Sequence, residues 1–318
     1  MADHYTGGGD KTIAKLVTLE KYVGAYTAII TNNWSTKPWY IDTHAATGFV
    51  DMDEYGSKVP GSAVRILRNH QDDFDRFYFY ESNGDSFELL RETLARELGL
   101  DFDSWTNSAG FPVAKSENPR VMLLQTNSNE GIQWLCEKAN EWSHWFVFMD
   151  PRAVTDLEAD AIRAVTTREN TDLLINFQTT GVHRAAGWNP SRGSVEQLGG
   201  NEPLEGGELD DQVEWFRKAI EESSGYNTAS RKTVSETSRG HRFDLVFASG
   251  DDTAVGIMDD IMTKSLKKEI AKEISNYRVE GGQLGLESWR SIKFMQHGDE
   301  SEAESQRGDG QSGLSEFS

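Results

Sequence analysis

The sequence predicts an α/β fold with one central, mostly parallel sheet, a C-terminal antiparallel hairpin and helices on both faces. Five short apolar segments alternate with amphipathic helix patterns between residues 12 and 177, and such alternation is typical of parallel α/β units. Two later strand-like segments, 232–237 and 242–249, lie close enough in sequence to pair as a hairpin. The 318 residues are 37% hydrophobic and include nine tryptophans, which is enough to bury a substantial core.

The first half of the chain follows this alternation. Apolar side chains from Ile13 to Tyr26 recur at three- and four-residue steps, which predicts an amphipathic helix over 12–32. The short apolar run 38–42 ends in an acid and predicts a buried strand. The other predictions here are a loop over 49–60, a helix over 61–67 capped by Gly61 and Ser62, a strand over 76–81, a helix over 85–98 and an irregular stretch over 100–119.

The second half repeats the pattern and then changes it. Three strands are predicted over 120–125, 145–150 and 172–177, with helices over 131–142 and 156–165 between them. Residues 185–208 are rich in Gly, Asn and Pro, which predicts a loop. The remaining predictions are a helix over 209–222, the hairpin already described, and a last helix over 255–274.

The predicted domain organisation is simple. Residues 1–10 are expected to be a flexible arm, 11–280 one α/β domain, and 281–297 a C-terminal extension. Residues 298–318 are acidic, rich in Gly and Ser and almost free of aliphatic side chains, so we expect them to be disordered.

The charge balance constrains the partners and the environment. The formal net charge is −20, and lysine supplies only 14 of the 32 basic residues. An acidic, lysine-poor surface is what a protein adapted to concentrated salt would show, whereas the alternative is a moderately acidic protein with an acidic tail. Such a surface disfavours non-specific binding to duplex DNA. The sequence contains no run of 18 apolar residues, so we predict no membrane span. The single cysteine, Cys136, excludes an intrachain disulfide framework. By default, we expect a cytoplasmic location.

Polar side chains follow every predicted parallel strand, and parallel sheets bind ligands outside the carboxyl ends of their strands. Small residues after the first strand would let a ligand approach the backbone, Glu81 could accept both hydroxyls of a ribose, and Asn127 or Asn129 could bond an adenine edge. In the alternative interpretation, the small residues close a tight turn and the acids cap helices. The residues at the five strand ends are Asp42, Glu81, Asn127, Asp150 and, shortly after the fifth strand, Arg184.

The histidines show no spacing typical of a metal site. We therefore predict no bound metal.

The order of elements resembles the Rossmann-like class I methyltransferase fold, in which five parallel strands precede a hairpin that contains the one antiparallel strand. Within it, the chain resembles the three-Cys-motif partner proteins. The matches are Lys15, Tyr22, Tyr40-Ile41-Asp42 with Ala45 and Gly48, Gly61-Ser62-Ala63, Phe79-Tyr80-Glu81, Phe148-Met149-Asp150-Pro151, residues 172–177 with Arg184, and Phe247-Ala248-Ser249.

The resemblance implies an S-adenosylmethionine-binding protein that acts with a three-Cys-motif partner of the radical iron–sulfur type. One cysteine cannot hold such a cluster, so the partner would carry it. The resemblance assigns catalytic or substrate-facing roles to Asp150, Pro151 and Arg184. It assigns cofactor contacts to Asp42, His44, Ala46, Gly48, Glu81 and Asn127.

Three departures from the family pattern leave a second function open. His44 replaces the usual Phe, Ala46 replaces the usual Gly, and Arg152 and Ala153 follow Asp150-Pro151 where an aromatic residue and a Gly are usual. A methyl group at position 46 would crowd a ligand unless φ stays negative there. The alternative function is therefore a catalytically silent, methyltransferase-shaped scaffold. A nicotinamide dehydrogenase is disfavoured, because no G-x-G-x-x-G motif follows the first strand.

Overall fold

A computed structural model of the chain describes residues 9–34, 36–52, 57–140, 142–200, 204, 208–224, 226, 228–234, 242–264 and 266–280. The predicted disordered tail, the C-terminal extension and most of the predicted N-terminal arm lie outside these residues. No helix within the described ranges is both long and apolar enough to cross a membrane.

The elements alternate as the sequence predicts, with additions. The helices are α1 (Asp10–Asn33), α2 (Ser62–His70), α3 (Gly84–Leu98), α4 (Ser128–Lys138), α5 (Ala159–Thr166), α6 (Thr179–Ala186), α7 (Asn189–Leu198), α8 (Leu209–Ser223), α9 (Asp252–Lys264) and α10 (Leu266–Glu280). The strands are β1 (Trp39–Asp42), β2 (Phe49–Met52), β3 (Ser57–Pro60), β4 (Arg76–Tyr80), β5 (Asp103–Thr106), β6 (Pro112–Glu117), β7 (Arg120–Leu124), β8 (Trp145–Met149), β9 (Thr171–Phe177), β10 (Thr228–Val234) and β11 (Phe243–Ser249). A short 3₁₀ turn, Val154–Asp156, precedes α5.

Nine of these strands form one sheet in the order β10-β11-β9-β8-β1-β4-β7-β6-β5. The five strands β7, β4, β1, β8 and β9 are parallel, and β11 lies antiparallel between β9 and β10. This is the class I methyltransferase arrangement of five parallel strands and a final hairpin with an inserted antiparallel strand. The predicted fold class is therefore confirmed.

Alternating side chains of the central strands supply a core on each face of the sheet. On β8, Phe146 and Phe148 pack with α1, α2, α3 and α9, whereas Val147 and Met149 pack with the helices from α4 to α8. All five residues of β8 are buried. A continuous apolar run is the expected sequence of a strand that is covered on both faces.

Three predicted irregular regions contain regular structure. Within the predicted loop 49–60, β2 and β3 pair antiparallel, and Met52 and Val59 pack onto α1 in a small third core. Residues 100–119 contain β5 and β6, which extend the sheet beyond β7. The four residues of β5 are all exposed, so this edge strand carries no apolar run that the sequence could reveal.

The stretch 185–208 also differs from the prediction. It contains the end of α6 and all of α7, and Pro190 sits in the first turn of α7, where a missing N–H is tolerated. The predicted last helix over 255–274 is two helices, α9 and α10, and the residue between them lies outside the described ranges.

Candidate functional site

A cavity of about 420 Å³ opens at the carboxyl ends of β1, β4 and β8. The chain leaves β1 toward β4 on one side and later returns to β8 on the other, so the strand order reverses at this point. Open α/β sheets bind ligands at such switch points. The wall combines the turn after β1, the ends of β4, β7 and β8, and the first turns of α1; its predicted members are His44, Ala46, Gly48, Glu81, Asn127, Asp150 and Pro151.

The turn after β1 passes twice through the left-handed backbone region. Ala46 has φ of 52° and Gly48 has φ of 86°. A Cβ atom on Gly48 would also lie 3.0 Å from Thr93 Cγ2 and 3.2 Å from Val64 Cγ2, so glycine is required there by both conformation and space. The positive φ at Ala46 meets the condition under which its methyl group would crowd a ligand. This alanine holds a conformation that costs L-residues about 1–2 kcal/mol.

Asp42 lies beneath the cavity and not in its wall. Its side chain is fully buried and accepts hydrogen bonds from Ser62 Oγ at 2.5 Å and from the backbone N–H of His44 at 3.1 Å. Burial raises the pKa of Asp42 to about 7, although both hydrogen bonds act in the opposite direction. The carboxyl group therefore shapes the turn that a ligand would contact.

His44 lines the cavity with a neutral imidazole near pH 7. Burial lowers the pKa of His44, whereas the nearby carboxylates of Asp150 and Asp156 act to raise it. Its Nδ1 atom lies 2.7 Å from Thr43 Oγ1. An uncharged ring at this place adds no positive charge to the cavity.

Glu81 and Asn127 enter the wall from neighbouring strand ends. The Glu81 carboxylate accepts a hydrogen bond from the Asn83 N–H at 2.9 Å, and partial burial raises its pKa. Asn127 caps α4, because its side-chain oxygen accepts the Glu130 N–H at 2.8 Å. The cap uses only the amide oxygen, and the amide N–H donors are not needed for it. A ligand-binding role for Asn127 is therefore compatible with its role as a cap.

Asp150 lies in the cavity wall and is held there by a lysine from the first helix. Its carboxylate accepts hydrogen bonds from Lys15 Nζ at 2.5 Å and from Asn176 Nδ2 at 2.6 Å. The side chains of Lys15 and Asp150 are 9% and 20% exposed, so the ion pair is largely buried but keeps an open side. Asp150 shares the cavity with Gly48, as expected for a site residue, but not with Asp42, which lies beneath it. Its carboxylate contacts Lys15 and Asn176 and not the backbone of a following helix.

Sequence reasoning gave Lys15 no role, although a signal was present. Lys15 precedes Leu19 and Tyr22 by four and seven residues, and these two side chains are fully buried on the same stripe of α1. A lysine on an apolar stripe indicates a buried anionic partner. The identity of that partner could not be read from the sequence, because it lies 135 residues further along the chain.

Asp150 and Arg184, to which the resemblance assigns neighbouring roles on the substrate side, are not brought together as an ion pair in the described part of the chain. Arg184 lies on an exposed part of α6 and is not among the residues that line the cavity. The position of Lys15 explains why Arg184 does not pair with Asp150, because the Lys15 ammonium group already forms an ion pair with that carboxylate. Arg152, which stands where the family usually has an aromatic residue, does line the cavity. A catalytic role for Arg184 stays a prediction that this geometry does not favour.

The charges around the cavity favour a ligand that carries positive charge. Four carboxylates line it, from Glu81, Asp150, Asp156 and Glu158, whereas its two basic side chains are Lys15 and Arg152. Within the part of the chain that the structure describes, no group of His, Cys, Asp or Glu side chains is arranged to hold a metal ion.

Comparison with known proteins adds general likenesses only. No protein-family model matches the sequence, and no curated protein matches it either. Among solved structures, the protein LPL1258 from Legionella pneumophila is 12% identical, with a TM-score of 0.48 and coverage of 81% of this chain and 95% of that one. The Trm1 protein from Pyrococcus horikoshii, in complex with S-adenosyl-L-methionine, is 12% identical, with a TM-score of 0.47 and coverage of 93% and 78%.

A third likeness is to magnesium protoporphyrin IX methyltransferase from Synechocystis PCC 6803 with bound SAH. It is 10% identical, with a TM-score of 0.36 and coverage of 73% of this chain and 83% of that one. Because these identities are low and the TM-scores are below 0.5, the fold assignment rests on the strand order described above.

Proposed function

We propose that this chain binds S-adenosylmethionine in the cavity at the strand switch point and transfers its methyl group to a substrate. The observation that carries the proposal is the position of the cavity over β1 and β4, with Glu81 at the end of β4 and a tight small-residue turn after β1. The residues present fit the cofactor in three respects. The cavity volume lies in the range of ligand sites, Glu81 can accept ribose hydroxyls, and the carboxylates suit a sulfonium cation.

In this proposal, the protein contributes mainly position. When bound, the cofactor would supply an electrophilic methyl group to a nucleophilic atom of the substrate, and its sulfur would keep the bonding electron pair. Gly48 has no side chain and lets a ligand approach the backbone of the turn closely, and Glu81 holds the ligand from the side of β4. Lys15 and Asn176 fix Asp150, whose open side faces the cavity, so that a donor group of the substrate can be oriented there.

Calorimetric titration of S-adenosylmethionine in high salt tests the proposal. We expect Glu81→Ala to weaken binding by about 1.5–3 kcal/mol, because charge-assisted hydrogen bonds are lost. Glu92→Ala is the matched control, since Glu92 is an exposed glutamate on α3 that does not line the cavity. Failure of the wild-type protein to bind at millimolar ligand would refute the proposal.

One observation favours a second candidate, a catalytically silent scaffold of methyltransferase shape. The Asp150 carboxylate is already engaged by Lys15 and Asn176, so its capacity to orient a substrate is reduced. Arg152 in the cavity wall further departs from the family pattern. A scaffold would give neither cofactor binding nor formation of S-adenosylhomocysteine.

The proposal includes a three-Cys-motif protein as partner and a cytoplasmic location. The partner is supported by the resemblance of the ordered motifs between Lys15 and Ser249, and the location by the single cysteine. Co-expression with a candidate partner, followed by size-exclusion chromatography in molar KCl, tests the association.

A further inference from the structure

A second cavity, of about 680 Å³, lies at the amino ends of the parallel strands, on the opposite end of the sheet from the proposed cofactor site. His144 precedes β8 and Thr171 begins β9, whereas Ser249 ends the antiparallel strand β11 next to Asp172. All four residues line this cavity. It is therefore built from the amino ends of parallel strands, together with the second half of α1, and has no wall in common with the cavity over β1 and β4.

A buried carboxylate forms part of this second cavity. Asp172 is 7% exposed and accepts hydrogen bonds from Tyr22 Oη at 2.5 Å and Ser249 Oγ at 2.7 Å. Burial is the main cause that raises the pKa of Asp172 to about 6, and the neighbouring carboxylate of Asp251 acts in the same direction. Both groups that donate hydrogen bonds to Asp172 are neutral hydroxyls, so neither of them balances the charge of the carboxylate.

Two further buried hydroxyl groups in the wall have hydrogen-bonding capacity to spare. Tyr26 and Thr171 are 5% and 2% exposed, both line the cavity, and neither side-chain oxygen has a hydrogen-bond partner in the described part of the chain. Buried polar groups without partners are rare in folded proteins, because each one costs free energy. Their position in the cavity wall leaves both hydroxyl groups available to a bound ligand.

The rim of the cavity is aromatic and acidic. Trp34 is 54% exposed, and its indole ring packs on the imidazole of His144 with ring centroids 5.0 Å apart. Glu169 and Asp251 add two exposed carboxylates. Besides His144, the basic side chain that lines the cavity is Arg168. Its guanidinium group stacks on the ring of Trp145, 3.9 Å from the ring centroid.

From this geometry we propose that the second cavity is a binding site for a small organic cation, an ammonium group carried on an apolar or aromatic body. Asp172 and the rim carboxylates would balance the positive charge. The exposed ring of Trp34 would attract it as a cation–π partner, and the apolar body would fill the aromatic walls. An anionic ligand is disfavoured by three lining carboxylates and by the protein's net charge of −20.

Calorimetry at pH 8 tests the site with phenethylammonium chloride as the probe and phenethyl alcohol as its neutral isostere. We expect millimolar or tighter binding of the ammonium and at least tenfold weaker binding of the alcohol. Trp34→Ala should weaken ammonium binding about two- to fivefold, because a cation–π contact at a partly exposed site is lost. Trp188→Ala is the matched control, since Trp188 is 63% exposed but does not line this cavity.

Asp172→Asn should abolish ammonium binding, and far-UV circular dichroism shows whether this variant is folded. Because Trp34 is on the surface, the Trp34 variant tests the site even if the Asp172 variant does not fold. Equal affinity for ammonium and alcohol, the absence of binding to the wild-type protein, or unchanged binding by Trp34→Ala would each overturn the proposal. Glu81→Ala should bind the probe as the wild-type protein does, which separates this site from the proposed cofactor site.

Discussion

Replacing Asp42 by asparagine should make the free energy of unfolding depend less on pH. Asp42 is fully buried, and burial raises the pKa of its carboxyl group from 3.8 to about 7. Asparagine has the same shape and can keep both contacts. Its oxygen can accept the His44 N–H, and its amide N–H can donate to the Ser62 hydroxyl, which also accepts hydrogen bonds.

The direction follows from proton linkage. The folded state holds the Asp42 proton up to about pH 7, whereas the unfolded state releases it near pH 4. The bound proton therefore stabilises the folded state fully below the pKa that Asp42 has in the unfolded state. This stabilisation is lost as the pH rises through the pKa that Asp42 has in the folded state. At 1.36 kcal/mol per pKa unit, the shift corresponds to about 4 kcal/mol, of which about 2–3 kcal/mol is lost between pH 5 and pH 8.

Urea unfolding at pH 5 and pH 8, in one molar KCl to suppress surface charge effects, measures this difference. The free energy of unfolding of the wild-type protein should fall by about 2–3 kcal/mol more between these pH values than that of Asp42→Asn. Asp172, whose pKa is raised to about 6, leaves a residual slope in both proteins. Asp101→Asn, at an exposed aspartate, should behave like the wild type. An Asp42→Asn variant with the full wild-type slope would contradict the assigned burial and charge of this carboxyl group.

Three further predictions concern other parts of the molecule. Ala46→Gly should raise the free energy of unfolding by about 1 kcal/mol in urea titrations, because φ is positive there, whereas Ala45→Gly should lower it. Lys15→Met should cost about 3 kcal/mol by leaving Asp150 without its cation, and adding Asp150→Asn should restore most of the loss; additive costs would show that the pair is not coupled. The melting temperature should rise from dilute buffer to molar KCl, because salt screens the net charge of −20, and a level or falling value would refute the inferred adaptation to salt.

The central sheet was predictable because its strands are buried on both faces. Every residue of β8 and β9 is buried; β8 is a continuous apolar run, and β9 contains the apolar run from Leu173 to Ile175. The edge strands carry no such signal. β5 is exposed along its whole length, and β2 includes an aspartate, so both are defined by pairing with a neighbouring strand and not by local hydrophobicity.

The candidate site was predictable to the extent that chain order determines which residues follow a parallel strand. Glu81, Asn127 and Asp150 all line the cavity for this reason, and Gly48 does so through the turn after β1. Contacts between distant elements were not predictable in the same way. The partner of Asp150 comes from α1, and only the packing of that helix across the sheet selects Lys15 for the contact.

The turn after β1 concentrates features that reduce stability at the place where a ligand is proposed to bind. A buried carboxyl group with a raised pKa lies under the turn, and an alanine with positive φ lies within it. Neither feature is needed for the sheet, since an amide at position 42 and a glycine at position 46 would preserve the same backbone. Destabilising local choices persist in proteins mainly at functional sites. The buried carboxyl group beneath the turn therefore favours a binding turn that is still in use, whereas the methyl group of Ala46, at positive φ, would crowd a ligand and favours the scaffold.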